Sequence, residues 1–242
     1  MARKTLLLVD SGADAMEVLA ARLRRMDYLV VRAKTTEEAH GLLVDPRYAI
    51  GAVVIPPDLP SANLAGALAA LRRLSGDASL PFLVSGWRPF SERRRELTRA
   101  GVCHALWEPV DAHTLRFQVN RALAGAAAPR NARRALRAPA TWFVEVRTGR
   151  RQRAARVYTV SARGAYLATA TPAPGRTPVA FELPLPMGTA RVEGRVVATN
   201  VAGNLRRRSL PIGMAVVFDE SQPETEAFLQ LYAEERLRQL DV

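Results

Sequence analysis

The pattern of apolar and polar positions divides the 242-residue chain into two halves. In the first half, continuous apolar runs alternate with segments in which apolar residues recur every three or four positions. The runs indicate strands covered on both faces, and the spacing indicates amphipathic surface helices. The predicted strands are TLLLV, YLVVRA, AIGAVVI, PFLVSG and HALWEP. Five strand signals and five helix signals in alternation predict a doubly wound α/β fold with a parallel sheet over residues 1–125.

The pattern changes after a segment of small residues, GAAAPRNA, and residues 126–132 are predicted to form a linker. Beyond it, short runs of strand-forming residues are separated by Gly, Pro and Asn. This second pattern predicts a six-stranded antiparallel β-barrel over residues 133–242. The last run, SQPETEAFLQLYAEERLRQL, predicts one amphipathic helix at the end of the chain.

The basic residues are concentrated in one part of the sequence. The formal net charge is +12, and nearly all of the basic residues are arginines. Between Arg130 and Arg163 the chain holds ten arginines and a single acidic residue, Glu145. A positive field concentrated at one place predicts an anionic ligand for the second half.

Composition also excludes several classes of function. Cys103 is the only cysteine, and His40, His104 and His113 lack the spacing of metal ligands. Neither half offers a nucleophile paired with a base, so the chain is not expected to be an enzyme. No run approaches the roughly 20 apolar residues of a membrane span, and Asp10 follows too early for a secretory signal, so we expect a cytoplasmic protein.

Polar and special residues stand at the ends of the predicted strands of the first half. They are Asp10 and Ser11 after the first strand, Pro56 after the third, Ser85 in the fourth and Glu108 after the fifth. The order of elements and these positions resemble the receiver domain of bacterial response regulators, whose sheet is flavodoxin-like. The resemblance implies a phosphoryl-transfer pocket with an aspartate nucleophile, an acidic pair for magnesium, a hydroxyl and a lysine.

Three of these positions depart from the receiver pattern. Pro56 stands where the resemblance requires the aspartate, and it has no oxygen to phosphorylate. Ser11 replaces one acid of the metal-binding pair, and Glu108 replaces the lysine with a charge that repels a phosphoryl group. The sequence therefore predicts an inactive pseudo-receiver that binds a protein partner or a second copy of the chain.

Two short motifs in the second half carry another resemblance. RRALR supplies Arg133 and Arg137, and TVSARG supplies Thr159, Ser161 and Gly164. Arg-x-x-x-Arg followed by Asp/Asn-x-Ser-x-x-Gly and a barrel resembles a PilZ domain, the family that senses cyclic di-GMP in bacteria. The resemblance implies that these residues bind that nucleotide, although Thr159 replaces the usual Asp or Asn.

The chemistry of the two motifs agrees with that ligand. A guanidinium group can donate two hydrogen bonds to a phosphate or to the acceptors of a guanine, and it can also stack on a purine. Arg134 is a further candidate for binding a phosphate. Thr159 and Ser161, two apart on a strand, are expected on one face with both hydroxyls directed to the ligand. Gly164 is expected to permit the tight or left-handed turn after the strand and a close backbone approach.

The sequence thus predicts a cyclic di-GMP-responsive signalling effector or adaptor in which the barrel binds the nucleotide and the pseudo-receiver binds a protein. Two alternatives stay open. One is a ligand-independent adaptor in motility or envelope regulation. The other is nucleic-acid binding, because arginine-rich surfaces bind phosphate backbones without a motif.

Overall fold

The computed structural model describes residues 4–10, 14–124, 135–185, 188–205, 209–219 and 223–242. The chain divides into two compact units, Met1–Pro129 together with Gln239–Val242, and Arg130–Arg238. The predicted linker, 126–132, lies outside the described residues. Within the described ranges, no helix combines the length and the apolar character that crossing a membrane requires.

The first unit is a parallel five-stranded sheet with helices between the strands. Its strands are β1 (Thr5–Val9), β2 (Leu29–Ala33), β3 (Ile50–Ile55), β4 (Phe82–Gly86) and β5 (Val102–Trp107). Its helices are α1 (Asp14–Arg25), α2 (Thr36–Val44), α3 (Leu64–Ser75), α4 (Ser91–Arg99) and α5 (Ala112–Ala124). The strand order is β2-β1-β3-β4-β5, which confirms the predicted doubly wound α/β fold.

Local signals explain where these elements begin and end. The β1 run TLLLV is buried at every position, as a central strand covered on both faces requires. Helix α2 begins after Thr35, whose side chain accepts a hydrogen bond of 3.2 Å from the backbone N–H of Glu38. Helix α3 ends at Gly76, which adopts the left-handed conformation with φ of 67°.

The end of the chain packs in the first unit, although the sequence assigned it to the second domain. The buried side chain of Gln118 donates 2.6 Å to the carbonyl of Leu240 and 3.1 Å to that of Ala105. Arg121 Nη1 lies 2.8 Å from Asp241 Oδ1. Hydrogen bonds and an ion pair to α5 therefore hold the last residues in place.

The second unit is a closed antiparallel barrel. Its strands are β6 (Ala138–Pro139), β7 (Phe143–Thr148), β8 (Arg151–Ser161), β9 (Gly164–Ala168), β10 (Pro178–Leu185), β11 (Gly188–Asn200) and β12 (Gly213–Phe218), followed by helix α6 (Pro223–Leu240). The sheet order is β6-β8-β7-β10-β11-β12-β9, and pairing of β8 with β9 closes six strands into a ring. The six-stranded barrel with a terminal helix is confirmed, with the short β6 attached to β8.

The interior of the barrel is aliphatic, and α6 packs against it. Val157, Val160 and Leu183 belong to one buried cluster, and Leu229 of α6 completes it. The rings of Trp142 and Tyr232 lie 4.7 Å apart between their centroids.

Candidate functional site

The receiver-like positions lie together at one edge of the parallel sheet. Asp10, Pro56, Ser85 and Glu108 stand at or just beyond the carboxyl ends of β1, β3, β4 and β5. Asp10, Pro56 and Ser85 are buried. Ser11 lies outside the described residues. The sheet topology therefore brings the four described positions to the place where a receiver pocket is expected.

A cation of the chain itself neutralises Asp10. Arg32 Nη2 donates to Asp10 Oδ2, and Arg32 Nη1 lies 3.5 Å from Glu17 Oε2. The hydrogen bond to Asp10 is the main cause that raises the pKa of the Arg32 guanidinium. Arg32 can reach Asp10 because β2 pairs with β1 in parallel, with Arg32 opposite Leu8.

The sequence interpretation missed Arg32. The available signal was a charged residue inside the otherwise apolar strand run YLVVRA. A charge in such a strand needs a partner, and the end of the neighbouring strand supplies one here.

Glu108, at the place of the family's lysine, is also held internally. Its Oε1 atom accepts a hydrogen bond of 3.1 Å from Arg22 Nη1, and its Oε2 atom accepts 2.9 Å from the Val110 N–H. Arg22 Nη2 donates 2.5 Å to the Val110 carbonyl as well. The glutamate is thus bound to α1 and to its own loop.

The loop that replaces the phosphorylation site is packed against the end of β4. A Cβ atom added at Gly86 would lie 2.8 Å from Cδ of Pro57, so the two segments are in close contact. From α4, Arg93 donates 2.7 Å to the Pro57 carbonyl and 3.0 Å to that of Leu59. Pro56 itself offers no carboxylate, and the carboxylate of this loop, Asp58, stands two residues further on and is exposed.

In the barrel, the pairing of β6 with β8 brings the two sequence motifs together. Ala138 pairs with Val160 and Pro139 with Thr159. Continuing this antiparallel register by one residue places Arg137 opposite Ser161. Arg133 and Arg134 lie outside the described residues. One arginine of the first motif and the serine of the second are thus neighbours across two strands.

Thr159 and Ser161 share the outer face of β8, as predicted. Val160 between them belongs to the barrel core, so the residues on either side face outward. Both are nevertheless covered, with 6% and 2% of their surface exposed. Ser161 Oγ donates 3.2 Å to the Gly164 carbonyl.

Gly164 is required for close packing of strands. Its φ lies outside the left-handed region, and the turn before it is a tight one in which Ala162 and Arg163 connect the paired residues Ser161 and Gly164. A Cβ atom here would lie 2.4 Å from the carbonyl oxygen of Val216 on β12. Only glycine permits this approach of the neighbouring strand.

Basic residues are exposed at both ends of β8. Arg163 lies in the turn before β9, close to Ser161. Arg147, Arg150 and Arg151 lie at the β7–β8 hairpin, at the other end of β8. Only Arg163 of these four therefore adds positive charge beside Ser161, and such charge favours an anion.

The part of the chain that the structure describes contains no candidate residues for a metal centre. No group of three or more His, Cys, Asp or Glu side chains there is placed to hold an ion.

Comparison with known proteins finds likeness in solved structures alone. No protein-family model matches the chain, and no curated protein matches it. A response regulator receiver protein from Pseudomonas putida is similar, with 28% identity, 50% of this chain and 98% of that chain covered, and a TM-score of 0.42. The chemotaxis protein CheY4 of Vibrio cholerae is similar at 20% identity, covering 50% and 99%, with a TM-score of 0.43. The receiver-like architecture of the first unit rests on its own strand order.

Proposed function

We propose that the protein is a signalling adaptor whose barrel binds cyclic di-GMP and whose receiver-like unit binds a protein partner without being phosphorylated. The observation that supports the nucleotide proposal is the β6–β8 register, which, continued one residue beyond the Ala138–Val160 pair, puts Arg137 opposite Ser161. Two motifs that are separate in the sequence thereby contribute to one surface.

The ligand has two phosphates and two guanines, and the surface offers groups for both. The Arg137 guanidinium forks onto a phosphate or onto the guanine O6 and N7 atoms. Exposed Arg163, two residues after Ser161, adds positive charge to the same region.

The covered hydroxyls set a condition on this proposal. Because Ser161 is 2% exposed and donates to the Gly164 carbonyl, the nucleotide reaches it only if this surface rearranges. Binding is therefore coupled to a conformational change, as a signalling protein requires. The same burial is the observation that favours a ligand-independent adaptor as the second candidate function.

The receiver-like unit supports a role in protein binding. The loop between β4 and α4 exposes Trp87 by 75% and Phe90 by 92%, and exposed Arg88 and Arg95 accompany them. Two large exposed aromatic side chains within four residues mark an interaction surface. The arginines favour a partner segment that combines apolar and acidic side chains. Sedimentation of the wild type and of the double variant Trp87→Ala, Phe90→Ala measures whether this surface binds a second copy of the chain. A dimer that the double variant loses identifies a second copy, and a monomeric wild type identifies a different partner.

Calorimetric titration with cyclic di-GMP tests the nucleotide proposal. We expect binding with a Kd on the order of 1 μM, no comparable binding of GTP, and at least a tenfold weaker Kd for Arg137→Ala. Arg147→Ala removes the same charge from an exposed position of β7 and is expected to change the Kd less than twofold.

Three results decide between the candidates. Absence of binding at millimolar cyclic di-GMP supports the ligand-independent adaptor. Equal losses in Arg137→Ala and Arg147→Ala mean that only the general field acts. Equal affinity for unrelated oligonucleotides, falling steeply with salt, supports nucleic-acid binding.

A further inference from the structure

A second arginine-lined feature of the barrel lies outside both sequence motifs. A cavity of about 440 Å³ is lined by Gly175, Arg176, Arg195, Val196 and Val197. It lies between the segment before β10 and the strand β11, and β12 separates β11 from β9. We propose that this cavity binds a small phosphate-bearing anion between the guanidinium groups of Arg176 and Arg195.

The backbone of Arg176 is held in an unfavourable conformation. Its φ is 67°, a region that side chains other than glycine rarely adopt. Among the described residues, the other non-glycine with positive φ is Asp27, which follows helix α1. Asp is one of the residue types that tolerate the left-handed region at such a helix end, whereas arginine has no local hydrogen bond that favours it.

The turn that contains Arg176 has its glycine one position too early. The Thr177 N–H donates 3.3 Å to the Pro174 carbonyl, which makes Arg176 the third residue of the turn. With positive φ at that residue, the turn is of the type that favours glycine there. Gly175 precedes it with no positive φ, and an added Cβ would meet nothing within 4 Å. The sequence therefore keeps arginine where glycine fits better, which indicates a role for its side chain.

Backbone hydrogen bonds fasten this turn to β11. Arg176 N–H donates 2.7 Å to the Val196 carbonyl, and Val196 N–H donates 3.0 Å to that of Thr177. The register of β11 against β12 shifts between Val196 and Ala198, and this bulge leaves Val197 56% exposed. The bulge and the turn together form the wall of the cavity.

The two arginines keep most of their capacity to bind an anion. Arg195 Nε lies 3.7 Å from Asp219 Oδ1, and both side chains are more than half exposed, so this pair is weak. In the described part of the barrel, no side chain pairs with the guanidinium of Arg176. Two arginines that line one cavity fit the several oxygens of a phosphate.

Calorimetric titration of the full chain with inorganic pyrophosphate, at constant ionic strength, tests this site. We expect a Kd on the order of 1 mM for the wild type. Arg195→Ala and Arg176→Gly are each expected to raise the Kd at least fivefold. Arg176→Gly is also expected to raise the urea midpoint of unfolding, because glycine accepts the positive φ. If Arg176→Gly is folded and more stable but no longer binds pyrophosphate, the Arg176 side chain serves binding and not stability.

Two control variants distinguish the effect of net charge from the effect of where the guanidinium groups lie. Arg191→Ala removes an arginine of the same strand that pairs with Glu193 at 2.8 Å and does not line the cavity. We expect it to keep wild-type affinity for pyrophosphate. The exchange Gly175→Arg with Arg176→Gly keeps the net charge and moves the guanidinium by one residue, and it is expected to lose affinity.

The proposal is overturned if Arg191→Ala loses as much affinity as Arg195→Ala, or if Arg176→Gly still binds pyrophosphate normally. It does not depend on the nucleotide proposal, since Arg137→Ala is expected to bind pyrophosphate as the wild type does. Competition between cyclic di-GMP and pyrophosphate identifies the nucleotide as the source of the phosphate. Absence of competition identifies a free phosphate compound.

Discussion

Several arginines of the first unit pair with carboxylates, whereas the exposed arginines of one region of the barrel do not. In the first unit, arginines neutralise carboxylates, with pairs Arg22–Glu108, Arg32–Asp10, Arg47–Asp45, Arg93–Glu96 and Arg121–Asp241. On the barrel, the exposed arginines of the β7–β8 region have no paired carboxylate among the described residues. A buried carboxylate such as Asp10 needs its cation, because removal of one partner leaves a buried charge uncompensated. Exposed charges of one sign without a carboxylate partner remain available to an anionic ligand. Four predictions test this difference, and we take them from the largest expected effect to the smallest.

The first prediction concerns the buried pair of the first unit. Arg32→Ala leaves the Asp10 carboxylate buried without its cation, and we expect a loss of about 3 kcal/mol in the free energy of unfolding. Asp10→Asn in the Arg32→Ala background removes the buried charge and is expected to restore part of this loss. Urea unfolding of the single and double variants measures both effects. A loss below about 1 kcal/mol would contradict the role of Arg32 as a structural counter-ion.

The second prediction is an acid sensitivity of the first unit. Burial is the main cause that lowers the pKa of His104 from 6.5 to about 4, while Arg121 lowers it further and Asp241 raises it. Protonation then favours the unfolded chain, so stability is complete above pH 6.5 and is lost as the pH falls toward 4. The loss amounts to up to about 3 kcal/mol.

Unfolding in urea at pH 7 and pH 4.5 measures this effect. His104→Gln is expected to flatten the dependence, although the carboxylate pairs of the first unit also weaken in acid. The barrel half contains no histidine, so its transition is expected to change less over this range. Equal losses of stability between pH 7 and pH 4.5 in both unfolding transitions would contradict a specific acid sensitivity of the first unit.

The third prediction concerns strand packing at the proposed nucleotide surface. Gly164→Ala puts a methyl group against the Val216 carbonyl and is expected to destabilise the barrel by about 2 kcal/mol. Gly175→Ala is the matched control, because its Cβ meets nothing and its φ is not positive. We expect that control to be neutral or slightly stabilising. Similar costs at both positions would mean that Gly164 does not hold β9 and β12 together.

Most of the fold could be predicted from the sequence because hydrophobic periodicity reports directly on burial. TLLLV corresponds to β1 over Thr5–Val9. AIGAVVI and PFLVSG correspond to β3 (Ile50–Ile55) and β4 (Phe82–Gly86), each one residue shorter than the predicted run. Each of these signals is local, since it needs only the residues of one element.

The site was less predictable because its contacts join distant parts of the chain. Arg32 and Asp10 come into contact only after β1 and β2 pair. The sequence of neither segment indicates that the two residues form a pair. The position of Arg137 depends on β6, a strand of two residues with no periodicity to read. The covered state of Ser161 also depends on packing that motif spacing does not encode.

The smallest expected effect comes from restoring one residue of the receiver pattern. Glu108→Lys replaces the carboxylate that Arg22 and the Val110 N–H contact with a second positive charge beside Arg22. Because the pair is partly exposed, we expect a loss of only about 1 kcal/mol, measured by urea unfolding. The variant is expected to incorporate no phosphate from radiolabelled acetyl phosphate, as for the wild type, since Pro56 offers no oxygen as nucleophile. Incorporation into wild-type protein at a residue of this sheet edge would show that the first unit retains phosphoryl chemistry, and would contradict the proposal that it acts without being phosphorylated.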